Sequence, residues 1–212
     1  MDTTDSAPKP VYTVDICRFP PDWTRVKHVR LWHSLWLGTA PETHAAMVFD
    51  PAEGFRVHMT CLERAPRAVY TDQDDPVWED SCMEAFLNFA PEAGDAYINL
   101  ETNALGAMRC EFGTHRGGRT KLADMPLKRP TASARQAENS WETEFFIPLD
   151  TVKTLFGADS FSAGDRLRGN FYKCGDGTAQ PHYGAWAPIE HETPQFHLPA
   201  CFGTLVIGRA KT

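Results

Sequence analysis

Short alternating hydrophobic runs, separated by turn-forming residues, recur along most of this 212-residue chain and limit what it can fold into. Sixteen prolines and fifteen glycines are scattered along the sequence, which favours turns over long helices. Several short strands at this spacing are typical of an all-β sandwich or barrel. The predicted strands are residues 26–32, 45–49, 55–62, 83–89, 96–102, 108–112, 141–147, 167–172 and 204–207.

One domain accounts for the length and the composition of the chain. Hydrophobic residues make up 42% of the sequence, which is enough for a substantial core. The prediction is an antiparallel, jelly-roll-like β-sandwich of residues 16–212, preceded by a disordered or extended lead of residues 1–15. One short helix is expected at residues 150–156, with Asp150 as its cap and Gly157 at its end.

The charge balance argues against two classes of partner. A formal net charge of −7 disfavours nucleic acids and anionic membranes, because both demand concentrated Lys and Arg. The closest approach to a basic run, from Arg116 to Arg129, is broken by Asp124. It lies within residues 113–137, which have no clear pattern and are predicted to form a long surface excursion.

The sequence shows neither a membrane helix nor an export signal. No stretch approaches the roughly 18 apolar residues of a membrane helix, and residues 1–10 lack an apolar h-region. A cytoplasmic protein is therefore expected. The cysteines are widely spaced without a CxxC pair, so buried free thiols are predicted. They are Cys17, Cys61, Cys82, Cys110, Cys174 and Cys201.

The strongest functional signal is an aromatic residue followed by a carboxylate within a strand. Trp78 follows a polar, acidic loop, and Glu84 stands among apolar neighbours in mid-strand. A hairpin through residues 90–95 brings Asn99 and Glu101 into the same neighbourhood, although the register decides whether they share a face. Sugar C–H bonds stack on indole, and sugar hydroxyls bind planar polar groups. A sugar-binding surface is therefore the first hypothesis.

Two more regions supply candidate ligand-binding groups. Arg109 is a candidate partner for Glu84, although a structural ion pair explains both residues equally well. Asn170 and Tyr172 lie on one face of a predicted strand, and Trp186 offers a second aromatic platform near a turn. The predicted ligand-binding residues are Trp78, Glu84, Asn99, Glu101, Arg109, Asn170, Tyr172 and Trp186.

One loop offers oxygen ligands for a metal ion. Asp72, Asp74 and Asp75 could chelate Ca²⁺, although they lack the spacing of an EF-hand and a solvated turn is the alternative. No other cofactor is expected to be required. The histidines near the C-terminus are too irregularly spaced to indicate zinc.

The run from Trp78 to Leu87 resembles the Trp-x-Asp-Ser-x-x-Glu-x-Phe signature of family 9 carbohydrate-binding modules. Residues 97–103, 168–176 and 186–189 are similar to the stand-alone members of that family, and residues 196–203 fit their closing strand. The resemblance extends over nearly the whole chain.

This resemblance implies a β-sandwich that binds a terminal sugar between two Trp side chains. Trp78 and Trp186 would be the two walls. Glu84 would accept hydrogen bonds from sugar hydroxyls, Arg109 would donate them and Asn170 would supply an amide. The implied ligand is a mono- or oligosaccharide in carbohydrate catabolism, with a glycoside hydrolase in trans as a further partner. Some relatives also bind structural calcium.

Two other functions stay open on the sequence. A glycoside hydrolase would use Glu84 and Glu101 as its carboxylate pair, about 5 Å apart in a retaining site and roughly 6.5–9.5 Å apart in an inverting one. A haem-binding sandwich domain would need axial ligands such as Met59 with His58 or His182.

Overall fold

One mixed β-sheet contains all fourteen strands of residues 9–210, the part of the chain that this computed structural model describes. The strands are β1 (Val11–Ile16), β2 (Val29–Arg30), β3 (His33–Ser34), β4 (Thr43–Asp50), β5 (Gly54–Cys61), β6 (Cys82–Asn88), β7 (Tyr97–Asn103), β8 (Met108–Gly113), β9 (Thr120–Lys121), β10 (Thr131–Gln136), β11 (Trp141–Pro148), β12 (Arg166–Cys174), β13 (Tyr183–Ala185) and β14 (Gly203–Ala210). The main path through the sheet is β10-β11-β5-β4-β1-β14-β12-β6-β7-β8-β9.

The sheet curls so that its two halves face each other across the core. Strands β4, β5 and β11 give alternate apolar side chains to one large cluster, and β6, β7 and β12 do the same from the opposite half. Phe55 stacks on Phe49 with 4.5 Å between ring centroids and also lies 4.7 Å from the ring of Phe89, next to β6. The predicted all-β sandwich is therefore confirmed.

Strands β6 and β7 are buried on both faces, which decides where the polar residues of interest lie. Every residue of both strands is buried. Their outer face is covered by a second, smaller cluster in which Phe86 and Tyr97 meet loop residues such as Phe196 and Phe202. Polar side chains on this outer face are thus largely withdrawn from bulk water.

The expectation of a purely antiparallel sheet is wrong at one place. Strand β1 runs parallel to both of its neighbours, β14 and β4. Parallel neighbours need long connections, and those that join β1 to β4 and to β14 are long enough. β1 begins inside the lead predicted for residues 1–15 and ends one residue beyond it, and residues 1–8 of that lead lie outside the described part. The single-domain assignment stays a prediction.

The nine predicted strands are all present, although the first is reduced to the two residues of β2. The structure adds β3, β9 and β13, which have two or three residues, the edge strand β10, and β1, a six-residue strand in the interior of the sheet. The prediction of a plain surface excursion for residues 113–137 is wrong, because this segment contains β9 and β10. It also buries Leu122 and the side chain of Arg119 against the sheet.

Helix α1 (Leu149–Phe156) is the one α-helix of the described residues, and it ends at Gly157, whose φ is 72°, as predicted. Asp150 lies in its first turn, where a carboxylate favours the helix dipole, and is not the cap. The 3₁₀ turns are Trp23–Arg25, Val77–Glu79, Leu122–Asp124 and Pro199–Cys201. Within residues 9–210, no helix has both the length and the apolar character that crossing a bilayer demands.

All six cysteines are described, and each is a free thiol, as predicted. Four of them are fully buried, and Cys17 and Cys201 are half-buried. Cys82 and Cys174 are directly opposite each other on β6 and β12.

Trp186 belongs to the large core and not to a binding surface. Its indole packs against Phe171 and edge-on against Tyr12, at 5.7 and 6.4 Å between ring centroids. Gly203 makes room for it, since a Cβ there would lie 2.5 Å from indole Cζ3. The interpretation of Trp186 as a wall of the sugar site is therefore wrong, because Trp186 lies on the core side of the sheet.

We expect Trp186→Ala to lower the free energy of unfolding by about 3–5 kcal/mol, because it leaves a cavity in the core. Urea denaturation followed by circular dichroism measures this change. The matched control is Trp32→Ala, whose side chain is 68% exposed and which should stay within about 0.5 kcal/mol of wild type. Equal losses in both variants would contradict the core assignment.

Candidate functional site

Strand register places the polar residues of the outer face in a row. Glu84 on β6 lies opposite Glu101 on β7, and Glu101 lies opposite Arg109 on β8. Tyr172 on β12 is on the other side of Glu84. Side chains directly opposite on one face have Cβ atoms about 4.5–5.5 Å apart, so the row is a contiguous polar surface.

A cavity of about 190 Å³ opens over this row. Four of the predicted ligand-binding residues line it: Trp78, Glu84, Glu101 and Arg109. The remaining lining residues, which the sequence analysis did not select, are Glu111, Arg116, Cys174, Asp176, Tyr183, Pro194, Gln195, Phe196 and His197. The cavity therefore combines aromatic surface with carboxylate, guanidinium and amide groups.

The fully buried Asp80 holds the turn that carries Trp78. Its carboxylate accepts hydrogen bonds from Arg67 Nη1 at 2.7 Å, from the backbone N–H of Val69 at 2.9 Å and from Asn103 Nδ2 at 2.8 Å. Each buried donor is thereby satisfied. The Asp of the Trp-x-Asp-Ser run therefore supports the loop and does not contact the cavity.

Ser81, the next residue of this run, joins a buried polar cluster behind the cavity. Its hydroxyl donates to Glu63 and accepts from Lys173 Nζ at 2.9 Å. The ammonium group of Lys173 also donates to the Cys174 carbonyl at 2.9 Å and lies 2.8 Å from His182 Nε2. These bonds tie the end of β12 to the start of β6.

Arg109 pairs with residues other than the expected Glu84. Its Nη2 lies 2.5 Å from Glu111 Oε1, and its Nη1 donates to the Asp74 carbonyl at 2.9 Å. The guanidinium also lies over the ring of Trp78, 5.0 Å from the centroid. Arg109 does not reach Glu84 because β7, with Glu101, lies between the strands that carry these two residues.

Asn99 supports the cavity from behind without lining it. Its Nδ2 donates to Glu101 Oε1 at 2.7 Å, and its Oδ1 accepts from Arg119 Nη2 at 2.7 Å. Arg119 also donates to the Tyr97 carbonyl at 3.0 Å. Arg119 comes from the segment that was interpreted as a surface excursion, and only the tertiary contacts reveal its role.

Asn170 and Tyr172 also lie outside the cavity, as does Trp186. Asn170 bonds both the carbonyl and the N–H of Ala187, at 3.0 and 2.9 Å. Tyr172 stacks on Phe196 with 4.1 Å between centroids and 5° between the ring planes. Tyr172 thus positions an aromatic ring that does line the cavity.

The acidic loop does not form the expected calcium site. The carboxylate of Asp74 is 3.4 Å from Arg129 Nη2, and that of Asp75 accepts the backbone N–H of Asp72 at 3.1 Å. Within residues 9–210, Asp72, Asp74 and Asp75 do not form a cluster of carboxylates close enough together to hold one metal ion. This loop holds no preformed calcium site, and a calcium requirement stays a prediction.

The candidate haem ligands already have protein partners. His58 Nε2 lies 3.1 Å from Glu142 Oε2, and its ring stacks on Trp23. His182 bonds Lys173 through Nε2, and the carbonyl of Gln180 lies 2.9 Å from its Nδ1. No geometry in the described residues favours a haem site at these histidines.

Burial controls the charge of the cavity. It raises the pKa of Glu101 to about 7 and raises the pKa of Glu84 well above its ordinary value, with the neighbouring Cys174 and Glu101 adding to the second shift. Burial, with nearby arginines, lowers the pKa of His197 to about 3. At neutral pH the cavity therefore carries less charge than its composition suggests.

The loop residues of the cavity were missed because their elements were assigned differently. Residues 196–203 were interpreted as a closing strand, but β14 begins only at Gly203. Phe196 and His197 precede it in a loop that folds over β6 and β7. Arg116 was assigned to a solvated loop, and its basic neighbourhood was the signal available in the sequence.

Comparison with protein-family models matches residues 25–207 to carbohydrate-binding family 9, and the chain belongs to that family. Among solved structures, it is similar to a protein from Bacteroides uniformis that is provisionally assigned to carbohydrate binding. The two are 29% identical over 94% of this chain and 99% of that one, with a TM-score of 0.76.

Two further structures show the same fold at lower identity. Both are family 9 modules from Caldicellulosiruptor kristjanssonii, one in complex with glucose and one with cellotriose. They are 13% and 12% identical to this chain, each with a TM-score of 0.62. The alignment with the glucose complex covers 96% of this chain and 98% of the module, and the alignment with the cellotriose complex covers 95% of each. No curated protein matches this sequence.

The raised pKa of Glu101 predicts a stability that falls as pH rises. The folded chain keeps this proton up to about pH 7, whereas the unfolded chain releases it near the ordinary value of 4.5. The stabilisation is therefore complete below pH 4.5 and is lost as pH rises through about 7, a change of about 3 kcal/mol. We expect Glu101→Gln to flatten this decline in urea denaturation curves between about pH 5 and 8.

The control for this measurement is Glu92→Gln, at an exposed loop position. It should keep the decline of the wild type. If Glu101→Gln leaves the pH dependence unchanged, Glu101 is not the group that binds the proton.

Proposed function

We propose that the cavity binds the end of a mono- or short oligosaccharide without covalent chemistry. One observation carries this proposal. Trp78 borders the cavity beside the row Glu84, Glu101 and Arg109, so an aromatic face adjoins hydrogen-bonding groups in a member of carbohydrate-binding family 9.

The chemistry of the lining suits a neutral sugar. The part of the Trp78 ring left open by Arg109 would stack against sugar C–H bonds. The high pKa of Glu84 favours its protonated form, which both donates and accepts hydrogen bonds. Arg109 and Arg116 supply donors for further hydroxyls. Tyr183 and Phe196 take the place of Trp186 as the other aromatic surfaces.

The size of the cavity limits the ligand. Its volume of about 190 Å³ is below the about 300–1,000 Å³ of sites for drug-sized molecules. We therefore infer that the terminal one or two rings of a ligand enter it. A glycoside hydrolase acting in trans on the same saccharide would be a natural partner, and this too is a proposal.

Isothermal titration with glucose, cellobiose and xylobiose tests the proposal. We expect binding by the wild type and an affinity weaker by a factor of about ten or more in Trp78→Ala, because the substitution removes the aromatic face against which the sugar stacks; a tenfold change corresponds to about 1.4 kcal/mol. Trp32→Ala is the matched control, because Trp32 is exposed and does not line the cavity.

Two results would count against sugar binding in this cavity. One is the absence of heat with every sugar while circular dichroism shows an intact fold. The other is equal affinity in Trp78→Ala and in the wild type.

A hydrolytic function is the second candidate, favoured by the direct pairing of Glu84 and Glu101 across β6 and β7. The raised pKa of Glu84 suits a general acid of glycoside cleavage, which also needs an ionised carboxylate as base or nucleophile, the role left for Glu101. Turnover of aryl glycosides that disappears in Glu84→Gln or Glu101→Gln would favour the enzyme. Binding without turnover would favour the module.

A further inference from the structure

Two thiols and one carboxylate converge beside the cavity. Cys82 and Cys174 face each other on β6 and β12, and Glu84 follows Cys82 two residues further along the same face. Their ligand atoms all lie within 4.8 Å of one another. The Cys174 thiol donates to Glu84 Oε1 at 2.9 Å.

This arrangement differs from ordinary packing of cysteines in a core. All three residues are almost completely buried, yet Cys174 and Glu84 also line the cavity and are accessible from it. Cys110 shows the contrast, because it is equally buried within the large apolar cluster and belongs to no converging ligand group among the described residues.

We propose that Cys82, Cys174 and Glu84 bind one thiophilic divalent cation, with Zn²⁺ as the best fit. Two sulfur ligands and one carboxylate oxygen match the tetrahedral preference of zinc and leave its fourth position for a water on the cavity side. Calcium and magnesium are disfavoured, because they select oxygen ligands.

The charges around the three ligands suit such a complex. Two thiolates and one carboxylate bring three negative charges to one divalent ion, and the positive charge of Lys173, which acts on both thiols, offsets part of the excess. Burial raises the pKa of the Cys82 thiol, and the hydrogen bond with Cys82 together with burial raises that of the Cys174 thiol, so the cation has to displace a proton from each. Binding releases both thiol protons to the solvent, together with the proton of Glu84 where that carboxyl is protonated.

The metal site does not depend on the proposed function, but the two share Glu84. If the cavity binds sugar as proposed, a bound cation removes one hydrogen-bonding group from the saccharide. Metal binding is therefore measured first without sugar, so that failure of either idea can be recognised separately.

The experiment uses the full-length, untagged protein, freed of metal and reduced with a phosphine. Zn²⁺ is titrated calorimetrically in two buffers of different ionisation enthalpy, and Cd²⁺ is titrated while the ultraviolet thiolate-to-metal absorption is recorded. We expect one ion per chain, proton release, and thiolate absorption with Cd²⁺. Cys82→Ala, Cys174→Ala and Glu84→Gln should each weaken Zn²⁺ binding at least tenfold.

Cys110→Ala is the matched control, because it removes a fully buried thiol outside the group and should leave the affinity unchanged. Circular dichroism establishes that each variant is folded, and Glu84→Gln, which keeps the shape of the side chain, covers the case in which a Cys variant does not fold. The proposal is overturned by no Zn²⁺ binding to the reduced protein, or by binding that survives in folded Cys82→Ala, Cys174→Ala and Glu84→Gln.

Discussion

The antiparallel register of β12, β6, β7 and β8 is the constraint on which the rest of the molecule depends. It places Glu84 opposite Glu101 and Cys82 opposite Cys174, all on the face away from the large core. A slip of one residue would turn Glu84 into that core and bring Met83 or Ala85 to the outer face. The apolar residues that alternate with the polar ones therefore prevent the slip, and the packing of the core maintains the geometry of the cavity.

Burying so many polar groups on one face is unfavourable unless each has a partner, and the structure supplies these from distant parts of the chain. Asp80 receives donors from the loop that contains Arg67 and from the end of β7, and Asn99 joins Glu101 to Arg119. Where a carboxyl has no nearby cation of its own, burial shifts its protonation instead, as at Glu84. The pairing of β6 with β12 brings the two thiols close to this carboxylate.

Much of the fold and part of the site could be predicted, for a clear physical reason. Alternation of apolar residues depends only on the local pleat, so the long strands were predictable. The end of α1 was predictable because Gly157 readily adopts the left-handed conformation that ends a helix. Trp78 and Glu84 were identified because they lie within one continuous motif. Trp186 was assigned to the wrong side because it directly follows β13, a short strand that is defined by pairing and not by alternation.

The sequence alone determined that this chain is a β-sandwich, that it resembles family 9 modules and that Trp78 and Glu84 are candidate ligand-binding residues. Only the tertiary structure decided that Tyr183 and Phe196 border the cavity, that Arg109 pairs with Glu111 and that two distant thiols meet beside Glu84. The physical reason is that periodicity and motifs report on neighbours along the chain. Contacts between strands follow from register and from the burial of loops, which no local pattern encodes.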